Sequence, residues 1–209
     1  MRSVMQNQFA RVEGAEVQRS VFDRSHGYTT AFDGGFLVPC LVDEILPGDS
    51  IQCSLTAFVR LNTSLAPLMD NLFFETFFFF VPNRLLWDNW QRFMGERIDP
   101  DDSIDYTVPV RTTAGYPENH LFDYMGIPPG VALTHNNLHG RAYNLIYREW
   151  FRHPSITDSP VVVTDDGPDG NNYTLLRRTK KRDYFTSVLP WPQRGDAVTL
   201  PLEIGRAHV

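Results

Sequence analysis

The sequence predicts a mainly β protein, an all-β sandwich or barrel core with helices as insertions. Three observations carry that prediction. Residues 50–61 alternate between apolar and polar almost without a break. Residues 72–81 form an aromatic-rich run in which Phe77 to Phe80 are consecutive, and Pro82 stops it. Fifteen prolines and 14 glycines are scattered through 209 residues, which suits turns between many short elements.

Residues 1–34 are polar, with weak periodicity, and read as an N-terminal arm. Phe36 to Val42 then suggests a short strand, placed at an edge or bulged because Pro39 cannot donate to a ladder. Leu46-Pro47-Gly48-Asp49 is turn chemistry. From 50 to 61, Ile51, Cys53, Leu55, Ala57, Val59 and Leu61 fall on one face. Ser50, Gln52, Ser54, Thr56 and Arg60 fall on the other, with Phe58 the exception, as in a half-buried antiparallel strand. Pro67 and Asp70-Asn71 mark a reversal before the Phe-rich run. Aromatic side chains favour a pleated backbone, and neighbours on a strand point to opposite faces. Phe77 and Phe79 therefore face one way, Phe78 and Phe80 the other, and both faces need cover.

Two helices are expected. Asn83 caps one over about 84–94, where Leu86, Trp87, Trp90, Phe93 and Met94 share a face and Gly95 supplies the stop. The second covers about 138–152. Ala142/Tyr143, Ile146/Tyr147 and Trp150/Phe151 recur every four residues, Arg141, Arg148 and Arg152 line the opposite side, and Pro154 ends it. Residues 99–130, rich in Asp, Pro and Gly, read as a long surface excursion. Val161–Val163 and Tyr173–Leu176 flank the loop Asp165–Asn172 and predict a hairpin.

The composition is that of a folded globular chain, with 42% hydrophobic and 21% charged residues. No stretch approaches the roughly 20 apolar residues needed to span a bilayer, so no membrane partner is expected. Two cysteines, Cys40 and Cys53, are too few for a disulfide framework and read as small buried hydrophobes in a reducing compartment. Net charge is −6, whereas a dedicated phosphate-binding protein is usually basic. Any nucleic-acid contact must be local or shared among copies.

No enzyme signature emerges. An EF-hand loop beginning at Asp165 would need an oxygen ligand at its third position and Glu at its twelfth; Gly167 and Leu176 stand there, so a turn is the better account. Asp99, Asp101, Asp102 and Asp105 read as a solvated acidic loop, and His120, His135 and His139 lack metal-ligand spacing. No phosphate loop, nucleophile elbow or Cys-x-x-Cys pair is present, and no catalytic residue, metal or cofactor is expected. One basic run stands out: Arg177, Arg178, Lys180, Lys181 and Arg182, followed by Tyr184, Phe185 and Trp191. Basic residues interleaved with aromatics suit single-stranded nucleic acid. The alternative is a solvated loop that pairs with an acidic neighbour, and the Arg141, Arg148 and Arg152 row has the same ambiguity.

Six strings then narrow the field: Phe22-Asp23-Arg24-Ser25-His26-Gly27, Leu46-Pro47-Gly48-Asp49, Thr76 to Pro82, Arg141 to Ile146, Glu149-Trp150-Phe151-Arg152, and Asp183 to Gln193. In this order, across roughly residues 10 to 202, the chain resembles the major capsid proteins of the small single-stranded-DNA bacteriophages, the Microviridae, in particular their gokushovirus branch. The resemblance implies a viral jelly roll, an eight-stranded antiparallel β-barrel with inserted helices and long loops. It also implies self-assembly into a T=1 icosahedral virion shell around a circular single-stranded DNA genome, built in the bacterial host cytoplasm. Partners would be further copies of the chain, genomic single-stranded DNA, and minor or scaffolding virion proteins. Members of that family are much longer than this chain. Ile204 to Val209 corresponds to one reading frame of a sequencing adapter. The expectation is that 35–202 forms the first part of one jelly-roll domain and 203–209 a non-native tail. Such a part leaves strand edges and apolar faces uncovered. The rival class is a β-sandwich carbohydrate- or ligand-binding module, which a monomer with exposed aromatics on one sheet face would favour.

Overall fold

The computed structural model describes residues 18–170, 173–181 and 183–185. Residues 1–17 of the expected arm, Asn171 and Asn172, Arg182, and the expected tail at 203–209 lie outside the described residues. Contacts divide the chain at Ala31 and Phe32. In the first unit, 18–31 carry no helix or strand, and the Asp23 carboxylate closes a local turn by accepting from the Ser25 amide (2.9 Å) and hydroxyl (2.6 Å).

Among the described residues of the second unit, the packing is organised around a helix. Strand β1 (Val110–Thr113) pairs antiparallel with β2 (Leu133–Asn136), and Val110 lies opposite Asn136. These two strands form the one sheet among the described residues. Strand β1 lies inside the expected surface excursion and β2 just beyond it, and such short, mostly polar strands give little apolar alternation to read. Their cross-strand threonines, Thr112 and Thr134, join hydroxyl to hydroxyl at 2.8 Å. Between them sits the short helix α2 (Leu121–Tyr124), capped by the His120 ring, which accepts from the Phe122 amide.

The helix expected over 138–152 is seen as α3 (Leu138–Ile146), continued by a π turn, Tyr147–Phe151. Arg152 then turns extended, two residues before Pro154. Helix α3 contributes to two apolar clusters. Leu138, Ala142 and Leu145 pack with Leu86, Trp87, Val81 and Tyr106; Tyr143 joins Tyr116, Leu121, Phe122 and Tyr173. Over the second cluster lies the Arg111 guanidinium, 5.2–5.6 Å from the Tyr116, Phe122 and Tyr173 rings. Gly140 lets α3 lie close against the same cluster, since a Cβ there would come within 2.6 Å of Asn137 Oδ1 and 3.0 Å of Phe122.

The other expected helix is divided. A 3₁₀ turn, Asn83–Leu85, and helix α1 (Trp90–Phe93) are separated by four residues. Tertiary hydrogen bonds account for the break. The Trp87 indole and Asn89 amide donate to Asp166 at 2.8 and 2.9 Å, and the Asp88 amide donates to the Thr164 carbonyl at 2.8 Å. Gly95, at φ +99°, supplies the stop.

The expected strands at 36–42, 50–61 and 72–81 have no ladder partners among the described residues, apart from a single bridge between Phe36 and Arg177. Nor do 161–163 and 173–176 form the expected hairpin. Alternation encodes which face a strand buries; it does not supply the neighbour whose N–H and C=O groups complete a ladder. No closed barrel is seen among the described residues. Cys40 and Cys53 are free and exposed, contrary to their reading as buried residues, because the segments that carry them are uncovered.

Candidate functional site

The basic segment is held against the helix by hydroxyl groups. Leu37 N–H donates to the Leu176 carbonyl at 3.0 Å, and Arg178 N–H to the Gly35 carbonyl at 2.8 Å. The Tyr143 hydroxyl donates to the Leu37 carbonyl and accepts from the Leu176 amide, each at 2.9 Å. Burial pushes the Tyr143 phenol up to about 12, which keeps its proton in place for that bond. Further along, Tyr147 donates to the Arg177 carbonyl at 3.1 Å and Thr179 to the Phe151 carbonyl at 2.6 Å.

The side chains of that segment meet the Phe-rich run. Arg177 lies over Phe36, 4.6 Å from the ring centre. Arg178 lies over Phe77 and Phe151, at 5.3 and 5.8 Å, and pairs with Glu75. Lys181 also pairs with Glu75 and lies 5.8 Å from Phe73, while Lys180 pairs with Asp183 at 3.2 Å. Hydrogen bonds from Lys181 and Arg178 hold the Glu75 carboxyl below the usual carboxylate range. Of the five basic residues singled out from the sequence, four therefore have assigned partners here, and Arg182 lies outside the described residues.

The aromatic run shows the alternation its pattern demands. Phe77 and Phe79 stack on each other at 6.4 Å and meet the Phe151 ring edge-on at 5.3 and 5.8 Å. They remain 41% and 40% exposed, against 63% for Phe78 and 73% for Phe80 on the opposite side. Phe73, Glu75, Phe77 and Phe79 thus meet the basic segment or the π turn, and the face of Phe74, Phe78 and Phe80 is open.

Residues 165–170 of that expected loop have a different role from a hairpin turn. Arg141 is buried, which corrects its reading as a solvent-facing residue. Its Nε donates to Asp169 Oδ2 at 2.9 Å and its Nη2 to Asp169 Oδ1 at 2.5 Å. Nη1 donates to the Leu86 and Asp165 carbonyls at 2.9 and 2.8 Å. Asp169 also accepts from Asn137 and from the Tyr173 hydroxyl. This fork-to-fork pair locks the loop onto α3. No helical periodicity could have found it, since the partner arrives from a distant loop.

The remaining candidates have structural roles. Asp102 accepts from the Ile98 and Asp99 amides at 2.9 and 3.2 Å. His135 Nδ1 faces the Asn136 carbonyl at 2.7 Å, so it must carry the proton and Nε2 accepts from Tyr116, also at 2.7 Å. His139 lies 3.4 Å from Glu44. Among the described residues no group of three or more His, Cys, Asp or Glu is arranged for a metal ion, and no helix is long and apolar enough to cross a membrane.

An open aromatic face beside a tightly pinned basic segment defines a protein whose distinctive surfaces suit contacts with other molecules. Residues 10–209 match the family described as Capsid protein (F protein), and the chain belongs to that family of bacteriophage capsid proteins. It is 45% identical to the Capsid protein VP1 of Bdellovibrio phage phiMH2K over 94% of the chain, and 43% identical to that of Chlamydia phage 1 over 97%. Capsid protein VP1 of Spiroplasma virus 4 is 32% identical over 92%. The chain spans 38% of the length of each of these relatives.

Proposed function

We propose that the chain is part of a non-enzymatic structural subunit that self-assembles into a T=1 icosahedral virion shell around a circular single-stranded DNA genome. The open row of Phe74, Phe78 and Phe80 carries this reading. Each phenylalanine is worth roughly 1.5–3 kcal/mol when fully buried, so a bare row this dense calls for cover. In the finished protein that cover comes from the rest of a jelly-roll domain and from sister subunits. The segments at 36–42, 50–61 and 72–81 then act as barrel strands, with ladder partners contributed by the longer polypeptide. Family membership supports the same reading, as do relatives that bear the name Capsid protein VP1.

Closed shells arise from repeated heterologous contacts around symmetry axes, and obligate contacts of this kind are large and apolar. Arg177, Arg178, Lys180, Lys181 and Arg182 belong to the surface that meets the genome. Minor or scaffolding proteins join during assembly in the host cytoplasm. The test is negative-stain microscopy of the full-length polypeptide expressed in bacteria. Uniform closed particles are expected; a persistent monomer at high concentration would overturn the proposal.

A further inference from the structure

The geometry points to a binding groove for single-stranded DNA between the end of the π turn and the basic segment, in which Trp150 stacks a base and Arg152 holds a phosphate. This rests on the genome-enclosing reading above and moves its centre away from the basic run alone. Trp150, Arg152, His153, Arg178, Lys180 and Lys181 line one groove, although Trp150 and Lys180 are 30 residues apart in sequence.

Three observations carry the assignment. Trp150 is 65% exposed, touching Phe79 edge-on at 6.1 Å, so an apolar ring is held in place and left open to solvent. Arg152 has no carboxylate partner among the described residues. Its Nη1 donates to the Thr157 carbonyl at 3.3 Å, which leaves the Nε buried without a partner. The guanidinium is a permanent cation that lines the groove, and a phosphate there meets it with charge as well as hydrogen bonding. His153 Nδ1 accepts from the Ser155 amide at 3.3 Å, so the neutral ring carries its proton on Nε2 as a further donor. Arg178 and Lys181 are already matched by Glu75, and Lys180 by Asp183. Among the described residues that line the groove, Arg152 is the arginine or lysine with no carboxylate partner. An aromatic platform beside such a cation suits a base and its phosphate better than it suits an acidic peptide, which has no use for the ring.

The test uses full-length protein and an oligothymidylate probe, followed by fluorescence anisotropy across a salt series, with shell formation scored separately by microscopy. Arg152→Gln is expected to weaken binding roughly tenfold and to reduce the salt slope by about one. Trp150→Leu, which keeps an apolar contact with Phe79, is expected to weaken binding with the slope unchanged. Unaltered affinity and slope in both variants would overturn the groove. So would thymidine monophosphate or poly-glutamate binding as tightly as the oligonucleotide, since either would reassign it to a simple anion or a protein neighbour. Ultraviolet crosslinking of genome-filled wild-type particles covers variants that fail to fold. Crosslinks in the 148–154 peptide support the groove, and crosslinks found only elsewhere would contradict it. Shells that form normally while DNA is not bound would sink this inference and leave the assembly reading intact.

Discussion

At the residue scale the fold depends most on Arg141 and Asp169, a charge pair buried under the 165–170 loop. Removing one partner strands the other charge away from water. Asp169→Ala is expected to cost about 3–5 kcal/mol, and adding Arg141→Met to that variant should recover part of the loss. Denaturant unfolding of full-length protein, followed by tryptophan fluorescence, checks both. The pair also sets an acid limit. Burial alone would raise the Asp169 carboxyl, but hydrogen bonds from Arg141 and Asn137 and the charge of Arg141 outweigh it and hold the group below its usual value. Its stabilisation is therefore complete above the unfolded carboxylate value, about 3.9, and is lost as pH falls through the lower folded value. Near-ultraviolet circular dichroism should stay constant down to about pH 4 and change below it. A sequence reading places Arg141 on a helix face and expects solvent there. What buries it is a loop 24 to 28 residues further on, and no local pattern reports that arrival.

At the element scale, legibility followed hydrogen-bond locality. Helix α3 satisfies its own backbone, so apolar recurrence every four residues and Pro154 were enough to read it. The 84–94 helix had the same signals, yet Asp166 and Thr164 draw off Trp87, Asp88 and Asn89 and break it. Strands need a partner. The 50–61 alternation gives a face without a ladder, whereas the weakly patterned strands β1 and β2 pair with each other. The same logic explains the basic segment: its composition pointed to phosphate, while its geometry shows Glu75 beneath it, two residues from Phe77 on the aromatic run. Glu75→Ala should release Arg178 and Lys181 together. The expected result is faster tryptic cleavage after Arg178 and Lys181, with cleavage after Arg148 unchanged. Equal rates at all three sites would show that the hydroxyl contacts of Tyr143, Tyr147 and Thr179 hold the segment without Glu75.

At the scale of the whole molecule, the chain combines a packed part with an uncovered one. Trp87, Leu121, Phe122 and Arg141 are fully buried around α3, while Phe58, Phe74, Phe78 and Phe80 are exposed. The capsid family was legible in six ordered strings spread over most of the chain. The closed barrel is not seen among the described residues, where the segments at 36–42, 50–61 and 72–81 find no ladder partners. The most direct measurement is hydroxyl-radical footprinting of Phe78 and Phe80, comparing the 209-residue chain with particles formed by the full-length protein. Rapid oxidation of both rings in the chain and strong protection in the particle is the predicted result. Equal oxidation in the two samples would contradict it, because the aromatic face would then be left bare in the assembled shell.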